Sequence, residues 1–222
     1  MSIYVGNSEV RGIYLGTTPV QAVYKGTTKI WPPAPSWPFI DTFNRAALGA
    51  GWSGTGAEIA ESSYLRATDA PPSGSATYRY PVWAVDVDAP ADMWEVTVTL
   101  KNIPDAVQST RVMVGQSATN CQFIRIGNGG IQIGWVINGT ESTVAKATAG
   151  FTLAAGTTVT LKRTDQLLQG LVNGTMRTAD VNKAVATGAG NRKLCIEPSV
   201  FRGGFLNQVR YHSPGIDSVT FT

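Results

Sequence analysis

Trp94-Glu95-Val96-Thr97-Val98-Thr99-Leu100-Lys101 is the stretch that decides the fold. Its apolar residues occupy every second position, and a polar residue stands between each pair of them. Successive side chains of a β-strand point to opposite faces, so this pattern predicts a strand with one buried and one exposed face. We expect Trp94, Val96, Val98 and Leu100 to face a core.

The same kind of pattern recurs through the rest of the chain. Val159-Thr160-Leu161-Lys162-Arg163 alternates in the same way, and other short apolar runs end at Gly, Pro, Asn, Asp or Ser. About a dozen short strands at this spacing predict an antiparallel sandwich. The predicted strands are Tyr64–Thr68, Ala76–Val87, Trp94–Lys101, Thr110–Gln116, Cys121–Gly127, Gly130–Asn138, Val144–Ala147, Thr157–Arg163, Leu167–Val172, Leu194–Glu197 and Asp217–Thr222.

The composition supports strands and excludes two classes of partner. Charged residues are 15% of the 222 residues, well below the usual quarter, and the net charge of +3 is spread thinly. The sequence has no block of Lys or Arg of the kind that binds nucleic acid. It also has no run of about 18 apolar residues, which a membrane-spanning helix would need. Met1 leads directly into the first apolar strand, so we expect no signal peptide and synthesis in a cytoplasm.

Two features that suggest a secreted protein have a simpler interpretation. Cys121 and Cys195 lie in separate strand-like runs, and we expect buried free thiols, with a disulfide as the alternative that the sequence leaves open. Asn138-Gly139-Thr140 and Asn173-Gly174-Thr175 match the glycosylation sequon. Asn-Gly is also the preferred pair of a two-residue hairpin turn, and we predict two such turns.

The first thirty residues are a threefold repeat. The copies are Ile3–Val10, Ile13–Val20 and Val23–Ile30, and they start ten residues apart. Each has a β-branched residue, Tyr, Gly, short polar residues and a final Val or Ile, which predicts a strand, a tight turn and a second strand. One such unit cannot bury its own face, so the three must pair with each other or with another chain. A proline-rich linker over 32–38 follows, so we divide the chain into a repeat module (1–31), this linker and a body (39–222).

Four landmarks of the body resemble the concanavalin A-like sandwiches, the class that includes laminin-G and jelly-roll lectin domains. They are the opening Asp41-Thr42-Phe43-Asn44-Arg45 with Leu48-Gly49 and Gly51-Trp52, the hairpin from Val159 to Gly174, the run Leu194–Pro198, and the ending Gly215–Phe221. The resemblance covers roughly residues 39–222. It implies an all-β, antiparallel jelly-roll β-sandwich in which the last strand pairs with the opening strand and an Asn-Gly turn closes the hairpin.

The repeat module carries a second resemblance. Val-Tyr-x-Gly-x-Thr-x-Val units that end in Trp-Pro resemble the N-terminal modules of tail and other virion proteins in long-tailed phages of actinobacteria. This implies a phage minor tail or virion surface protein, located on the particle, that binds other virion proteins and forms a homo-oligomer, with a trimer favoured. The residues expected to dock are Tyr4, Gly6, Tyr14, Gly16, Tyr24, Gly26 and Trp31.

The search for catalytic groups finds no convincing set. Asp86-Val87-Asp88, with Asp92 and Glu95 nearby, is the best candidate for the carboxylate pair of a glycosidase, but Ala89-Pro90-Ala91 interrupts the strand at once. We interpret these acids as a solvated strand end. The same aspartates match no calcium loop spacing.

Two further motifs also favour structural interpretations. His212, the only histidine, lies in a predicted loop (210–215), and the chain has no Gly-x-Ser-x-Gly motif. Gly127-Asn128-Gly129-Gly130 lacks the Lys and the helix of a phosphate loop and predicts a hairpin turn. We therefore expect a protein that is not an enzyme and that has no metal and no cofactor.

A lectin-like site would need aromatic faces and planar polar groups on one sheet. Arg111, Arg125 and Trp135 are the candidates for a shallow glycan-binding groove, while the alternative for each is an ordinary packed or solvated strand residue. Our leading hypothesis is a non-catalytic structural virion protein of a tailed phage whose lectin-like domain contacts a host cell-surface glycan. The alternatives are a capsid decoration protein that binds only other virion proteins, and a polysaccharide-degrading enzyme.

Overall fold

The computed structural model describes residues 37–69, 76–103, 108–127, 129–165, 167–181, 185–203 and 209–222. Of the first 36 residues it describes only short strands, which form one antiparallel pair in each repeat. The pairs are β1 (Tyr4–Val5) with β2 (Ser8–Glu9), β3 (Tyr14–Leu15) with β4 (Thr18–Pro19), and β5 (Val23–Lys25) with β6 (Thr28–Trp31). Each repeat therefore contains the two strands that its sequence predicts.

The body begins with an eight-stranded antiparallel sheet. Its strands are β7 (Phe39–Asp41), β9 (Ala57–Ala60), β10 (Tyr64–Ala67), β13 (Trp94–Leu100), β18 (Thr158–Thr164), β19 (Leu167–Val172), β20 (Thr175–Val181) and β24 (Ile216–Phe221). Seven of them follow the spatial order β20-β19-β18-β13-β24-β10-β9, and β7 pairs with β24.

A seven-stranded antiparallel sheet forms the second layer. Its strands are β8 (Trp52–Ser53), β12 (Val82–Asp88), β14 (Ser109–Ser117), β15 (Asn120–Gly127), β16 (Gly130–Ile137), β17 (Thr140–Ala147) and β21 (Lys193–Glu197). Their spatial order is β17-β16-β15-β14-β21-β12-β8. A small ribbon of three strands extends the body: β11 (Thr77–Arg79), β22 (Ser199–Gly203) and β23 (Val209–His212).

One hydrophobic core lies between the two large sheets. Trp94, Val96, Val98 and Leu100 are 4%, 1%, 0% and 1% exposed, so the predicted inward face of β13 is confirmed. The same core contains Val112 and Val114 of β14 and Ile124 and Ile126 of β15, from the opposite sheet, and each sheet therefore has one face in the core and one outer face. The predicted all-β sandwich is confirmed.

The strands that the sequence analysis missed are mostly short or polar. Val209–His212 was predicted as part of a loop, and it is a strand that pairs with β22. β9, β20 and β23 lie at the edges of their sheets. An edge strand has a neighbour on one side only, so its sequence contains fewer of the apolar residues that indicate a strand. The strands not predicted are Ala57–Ala60, Thr175–Val181, Ser199–Gly203 and Val209–His212.

Both predicted Asn-Gly turns are present. Asn138 and Gly139 have φ values of 50° and 79° between β16 and β17, and Asn173 and Gly174 have 49° and 73° between β19 and β20. Two successive positive φ angles are the mark of a type I′ turn, which Asn-Gly favours. The second turn closes β19 onto β20, and not the hairpin of β18 and β19, which the resemblance had implied.

The opening and closing segments of the body are tied together. Phe39, Ile40 and Asp41 of β7 pair with Phe221, Thr220 and Val219 of β24, as the resemblance implied. The Asp41 carboxylate then accepts hydrogen bonds from the Arg45 guanidinium at 2.6 and 2.8 Å.

The Asp41 carboxylate also accepts hydrogen bonds from Trp52 Nε1 at 2.7 Å and from the Phe43 amide at 2.8 Å. Burial by itself raises the pKa of Asp41, but these hydrogen bonds and the Arg45 charge outweigh it and hold that pKa below its usual value. The landmark Asp41–Arg45 is thus a partly buried polar link between β7 and β8. In the described part of the chain there is no helix long and apolar enough to cross a membrane.

Candidate functional site

The outer face of the seven-stranded sheet carries a group of charged residues. Val112 and Val114 of β14 lie in the core, so the side chain of Arg111, which directly precedes Val112, faces outward. The strand register places Arg125 of β15 opposite Arg111 on one side and Glu197 of β21 opposite it on the other. The prediction that Arg111 and Arg125 share a sheet face is confirmed.

Arg111 and Glu197 form a buried, two-bonded ion pair. Arg111 Nε donates to Glu197 Oε1 at 2.7 Å, and Nη2 donates to Oε2 at 2.9 Å. The side chains are 8% and 5% exposed. Hydrogen bonds of this paired geometry are among the strongest that proteins form.

Glu141 of β17 joins the second arginine to this pair. Arg111 Nη1 donates to Glu141 Oε2 at 2.7 Å, and Arg125 Nη2 donates to Glu141 Oε1. Both guanidinium carbons lie over the Phe123 ring, 5.6 and 5.5 Å from its centroid, within the range of a cation–π interaction. We call Arg111, Arg125, Glu141 and Glu197 over Phe123 the arginine clamp.

The clamp is arranged for charge pairing. Burial acts to lower the pKa of Arg111, but the hydrogen bond and charge of Glu197 and the charge of Glu141 raise it above its ordinary value, so Arg111 stays protonated. Each of the four glutamate oxygens accepts a hydrogen bond from an arginine. A general acid must present its carboxyl group to the substrate, and neither glutamate is placed to do so.

An apolar cluster lies beside the clamp on the same outer face. It consists of Met113, Cys121, Phe123, Val136 and Cys195, with Trp83 of β12 packed against it. Both cysteines are free and buried, as predicted. Burial raises the pKa of Cys121 to about 12 and raises that of Cys195 well above its ordinary value, so neither thiol ionises near neutral pH. These are packing residues, and not nucleophiles.

Trp135 does not share this face, and that part of the predicted groove is wrong. Trp135 pairs with Gln122, which pairs with the core residue Val114, so its side chain lies on the opposite face from Arg111 and Arg125. It is 7% exposed. The sequence pattern did not show which face Trp135 occupies, because β16 has apolar residues on both of its faces.

A groove of 590 Å³ opens at the end of the outer face, next to Trp83. Trp83 is half-buried, because it packs on the apolar cluster, and part of it lines the groove. We call this feature the Trp83 groove. It is lined by Ser53, Trp83, Ala84, Val85, Asp86, Val87, Asp88, Gln116, Ser117 and Lys193.

A bulge in β12 shapes the Trp83 groove. Trp83 pairs with Cys195 and Asp88 pairs with Lys193, so five residue steps on β12 oppose two steps on β21. Asp86, within the extra residues, has a φ of 59°. At the bulge the backbone of β12 departs from regular pairing with β21. Bulges of this kind change the direction of side chains beside functional sites. This site was not predicted, because the alternation of Val82–Asp88 contains no signal of a bulge or a groove.

The acidic residues considered for catalysis or calcium binding have structural partners. Asp88 accepts hydrogen bonds from the amides of Gly190 at 2.6 Å and Arg192 at 3.0 Å, and Asp92 accepts one from the Gly188 amide at 2.8 Å. They hold the loop before β21. Glu95 pairs with Lys162 at 3.0 Å on the other sheet. Among the described residues, no three His, Cys, Asp or Glu side chains lie close enough together to hold a metal ion.

The single histidine belongs to no catalytic triad in the described residues. His212 Nε2 lies 2.6 Å from Asp69 Oδ1. The neighbouring Ser213 hydroxyl is buried, and it contacts Thr110 Oγ1 at 2.7 Å and accepts from the Ser199 amide at 2.9 Å. It is part of the packing between β14 and the small ribbon.

The predicted docking residues of the repeat module are only partly described. Tyr4, Tyr14, Tyr24 and Trp31 lie in strands of the three pairs. Gly6, Gly16 and Gly26 lie outside the described residues, as do all side chains of the module. The docking role of these residues stays a prediction.

Comparison with known proteins identifies the fold. The chain matches no protein-family model and no curated protein sequence. Among solved structures, the Emp47p carbohydrate recognition domain is similar with a TM-score of 0.55 and 13% identity, covering 82% of this chain and 92% of that one. The Bacillus licheniformis β-glucanase has a TM-score of 0.55 and 15% identity, covering 83% and 97%.

The body is a concanavalin A-like β-sandwich. The VIP36 exoplasmic/lumenal domain, in a form bound to Ca²⁺ and Man2, gives a TM-score of 0.56 and 13% identity, covering 82% of this chain and 86% of that one. The similar concanavalin A-like structures thus include a carbohydrate recognition domain and a glucanase. Fold similarity at this identity does not separate binding from hydrolysis, so function has to be argued from the residues.

Proposed function

We propose that this protein is a non-catalytic attachment protein, which binds a cell-surface glycan in the Trp83 groove and is anchored to a tailed-phage particle by its repeat module. The observation that carries the proposal is the groove itself. It combines one fixed aromatic side chain with hydroxyl, amide and charged groups. An aromatic ring offers a flat apolar surface for a sugar ring, and a few polar groups around it give orientation and specificity.

Trp83 supplies the rigid surface that such a site needs. Its indole is supported from below by the apolar cluster of Met113, Cys121, Phe123, Val136 and Cys195. A side chain held in this way loses little conformational freedom when a ligand binds. Ser53, Gln116 and Lys193 lie around it with donors and acceptors for sugar hydroxyls.

The chemistry of the described acids supports binding rather than hydrolysis. Glycoside hydrolysis uses two carboxyl groups on either side of the scissile bond. Glu141 and Glu197 are bonded to arginines, and Asp88 in the groove is bonded to two backbone amides. The second candidate, an architectural protein, is favoured by exposed apolar residues on the outer face of the eight-stranded sheet, where Ile40 is 60% and Met176 55% exposed.

Trp83→Ala should weaken binding of the full chain to host cell-wall polysaccharide at least tenfold, because it removes the stacking surface. Binding is measured on a glycan array and then by calorimetry with the best ligand. Trp37→Ala is the matched control, since Trp37 is also partly exposed, at 40%, but lies outside the groove. Gln116→Ala, which leaves Trp83 in place, should also weaken binding. This second variant tests the groove if Trp83→Ala proves unstable.

Equal binding by the wild type, Trp83→Ala and Gln116→Ala would show that the groove is not the site. Absence of any glycan binding would favour the architectural candidate. Release of reducing sugar from the same polysaccharide, if lost in Asp86→Asn, would show that the protein is an enzyme.

Removing residues 1–36 should abolish incorporation into phage particles while leaving a folded body. The cut keeps Trp37, whose ring packs edge-on against Phe221 with centroids 5.1 Å apart. Incorporation is measured by detecting the protein in purified particles, and folding by a cooperative thermal transition. If the truncated chain is incorporated as well as the full chain, the repeat module is not the anchor.

A further inference from the structure

Two buried arginines lie at one end of the sandwich, and neither of them lines the Trp83 groove. Arg163 is on β18, on the same strand face as the fully buried Val159 and Leu161. Arg192 directly precedes β21, in the opposite sheet. Both are about nine-tenths buried, with exposed fractions of 8% and 9%.

Only one of the two guanidinium groups has a carboxylate partner among the described residues. Asp92, whose side chain is 44% exposed, lies 3.4 Å from Arg192 Nη1, and its Oδ1 also accepts from the Gly188 amide. Asp88 is bonded to the amides of Gly190 and Arg192. Of these two carboxylates, only the partly exposed Asp92 forms an ion pair with a guanidinium group, and that group belongs to Arg192.

The hydrogen bonds of the two guanidinium groups are also incomplete. The Nε atoms of both Arg163 and Arg192 are buried and have no hydrogen-bond partner. Burial lowers the pKa of Arg163, Asp92 acts against that effect, and the positive charge of Arg192 lowers it further. Arg163 pairs with Trp94, two residues after Asp92, and Arg192 contacts the Asp92 carboxylate, so the two arginines lie at the same end of the sandwich.

Buried charges in proteins are normally paired, and buried polar atoms are normally hydrogen-bonded. Guanidinium groups bind carboxylate, sulfate and phosphate through pairs of parallel hydrogen bonds, and Nε is one of the donors used. We propose that Arg163 and Arg192 form a binding site for one oxyanionic group, a carboxylate, sulfate or phosphate, at the end of the sandwich beside Asp92. The bound group supplies a partner for the Arg163 guanidinium and occupies the unused Nε donors of both arginines.

This anion site is independent of the Trp83 groove and of the proposed function. The groove is lined by Asp88 and Lys193, but neither Arg163 nor Arg192 lines it. Loss of glycan binding in Trp83→Ala would therefore leave the anion site intact. The anion itself has two sources with the same chemistry, a free inorganic ion or the acidic group of a sugar.

The test titrates the full chain with sodium sulfate, sodium phosphate, sodium acetate and sodium glucuronate at constant ionic strength, with sodium chloride as reference. We expect saturable shifts of the side-chain Nε–H nuclear magnetic resonance signals of Arg163 and Arg192. We also expect an increase in Tm above that in chloride, because a ligand of the native state stabilises it. Glucuronate that binds at least tenfold tighter than acetate would identify an acidic sugar, and preference for sulfate or phosphate would identify a free anion.

Arg163→Gln and Arg192→Gln should each weaken anion binding at least tenfold. Arg79→Gln, an exposed arginine on β11, is the matched control and should bind as the wild type does. If neither arginine signal shifts with any of the four anions, the proposal is wrong. It is also wrong if sulfate raises the Tm of Arg163→Gln as much as that of the wild type. The titration of the wild type decides the question even if both variants fail to fold.

Discussion

Replacing Arg111 with Met should lower the free energy of unfolding by about 3–5 kcal/mol, the range seen when one partner of a buried ion pair is removed. The variant keeps most of the side-chain volume but leaves Glu197, whose side chain is 5% exposed, without its two-bonded partner. It also removes one of the two arginines that bind Glu141 and one of the two that cover Phe123. The measurement is the midpoint of urea unfolding at an unchanged slope.

Two further variants separate the buried charge from other effects of the substitution. Lys162→Met breaks the ion pair between Lys162 and Glu95, whose side chains are 38% and 37% exposed, respectively. This variant should lower the free energy of unfolding by no more than about 1 kcal/mol. Arg111→Met combined with Glu197→Met removes both charges and should recover much of the loss. An Arg111→Met variant as stable as Lys162→Met would contradict the description of the clamp as a buried charge network.

Phe221→Ala should lower the free energy of unfolding by about 3–5 kcal/mol, as expected for removing a fully buried aromatic side chain. Phe221 is 0% exposed, and its strand pairs with Val96 of β13 on one side and Phe39 of β7 on the other. Its ring packs against Trp37 and Trp94, with centroids 5.1 and 6.2 Å away. Truncation leaves a cavity where the closing strand meets both neighbours.

Ile40→Ala is the control for this second variant. Ile40 lies on β7 beside the same strand but is 60% exposed, so its truncation should change the free energy of unfolding by no more than about 0.5 kcal/mol. Urea unfolding of both variants gives the comparison. A loss below about 1 kcal/mol for Phe221→Ala would mean that β24 is not part of the cooperative core.

Much of the fold was predictable because burial of one sheet face imposes a period of two on the sequence. That rule placed Trp94, Val96, Val98 and Leu100 in the core. It also placed the side chains of Arg125 and Ile124 on opposite faces of β15, which the structure confirms. The turns at Asn138-Gly139 and Asn173-Gly174 were predictable because only a few residue pairs tolerate two positive φ angles.

The candidate site was less predictable, because its partners come from distant parts of the chain. Glu197 is 86 residues from Arg111, and Glu141 is 30 residues away. Alternation in Leu194-Cys195-Ile196-Glu197 does place Glu197 on the outer face, which was an available signal. No local pattern says which strand lies beside β14, so the pairing of Glu197 with Arg111 could not be read in advance.

The sequence by itself determined the all-β class, most of the strand faces that lie in the core, the Asn-Gly hairpin turns and the strand pair in each repeat. Each of these depends on neighbouring residues, through the pleat of a strand or the φ angles of a turn. Only the tertiary structure decided that Trp135 lies away from Arg111, that β12 bulges to open the groove at Trp83, and that Arg163 and Arg192 lie at the same end of the sandwich. Sheet order, register and the packing of one sheet on the other set these contacts, and all three are long-range properties of the chain.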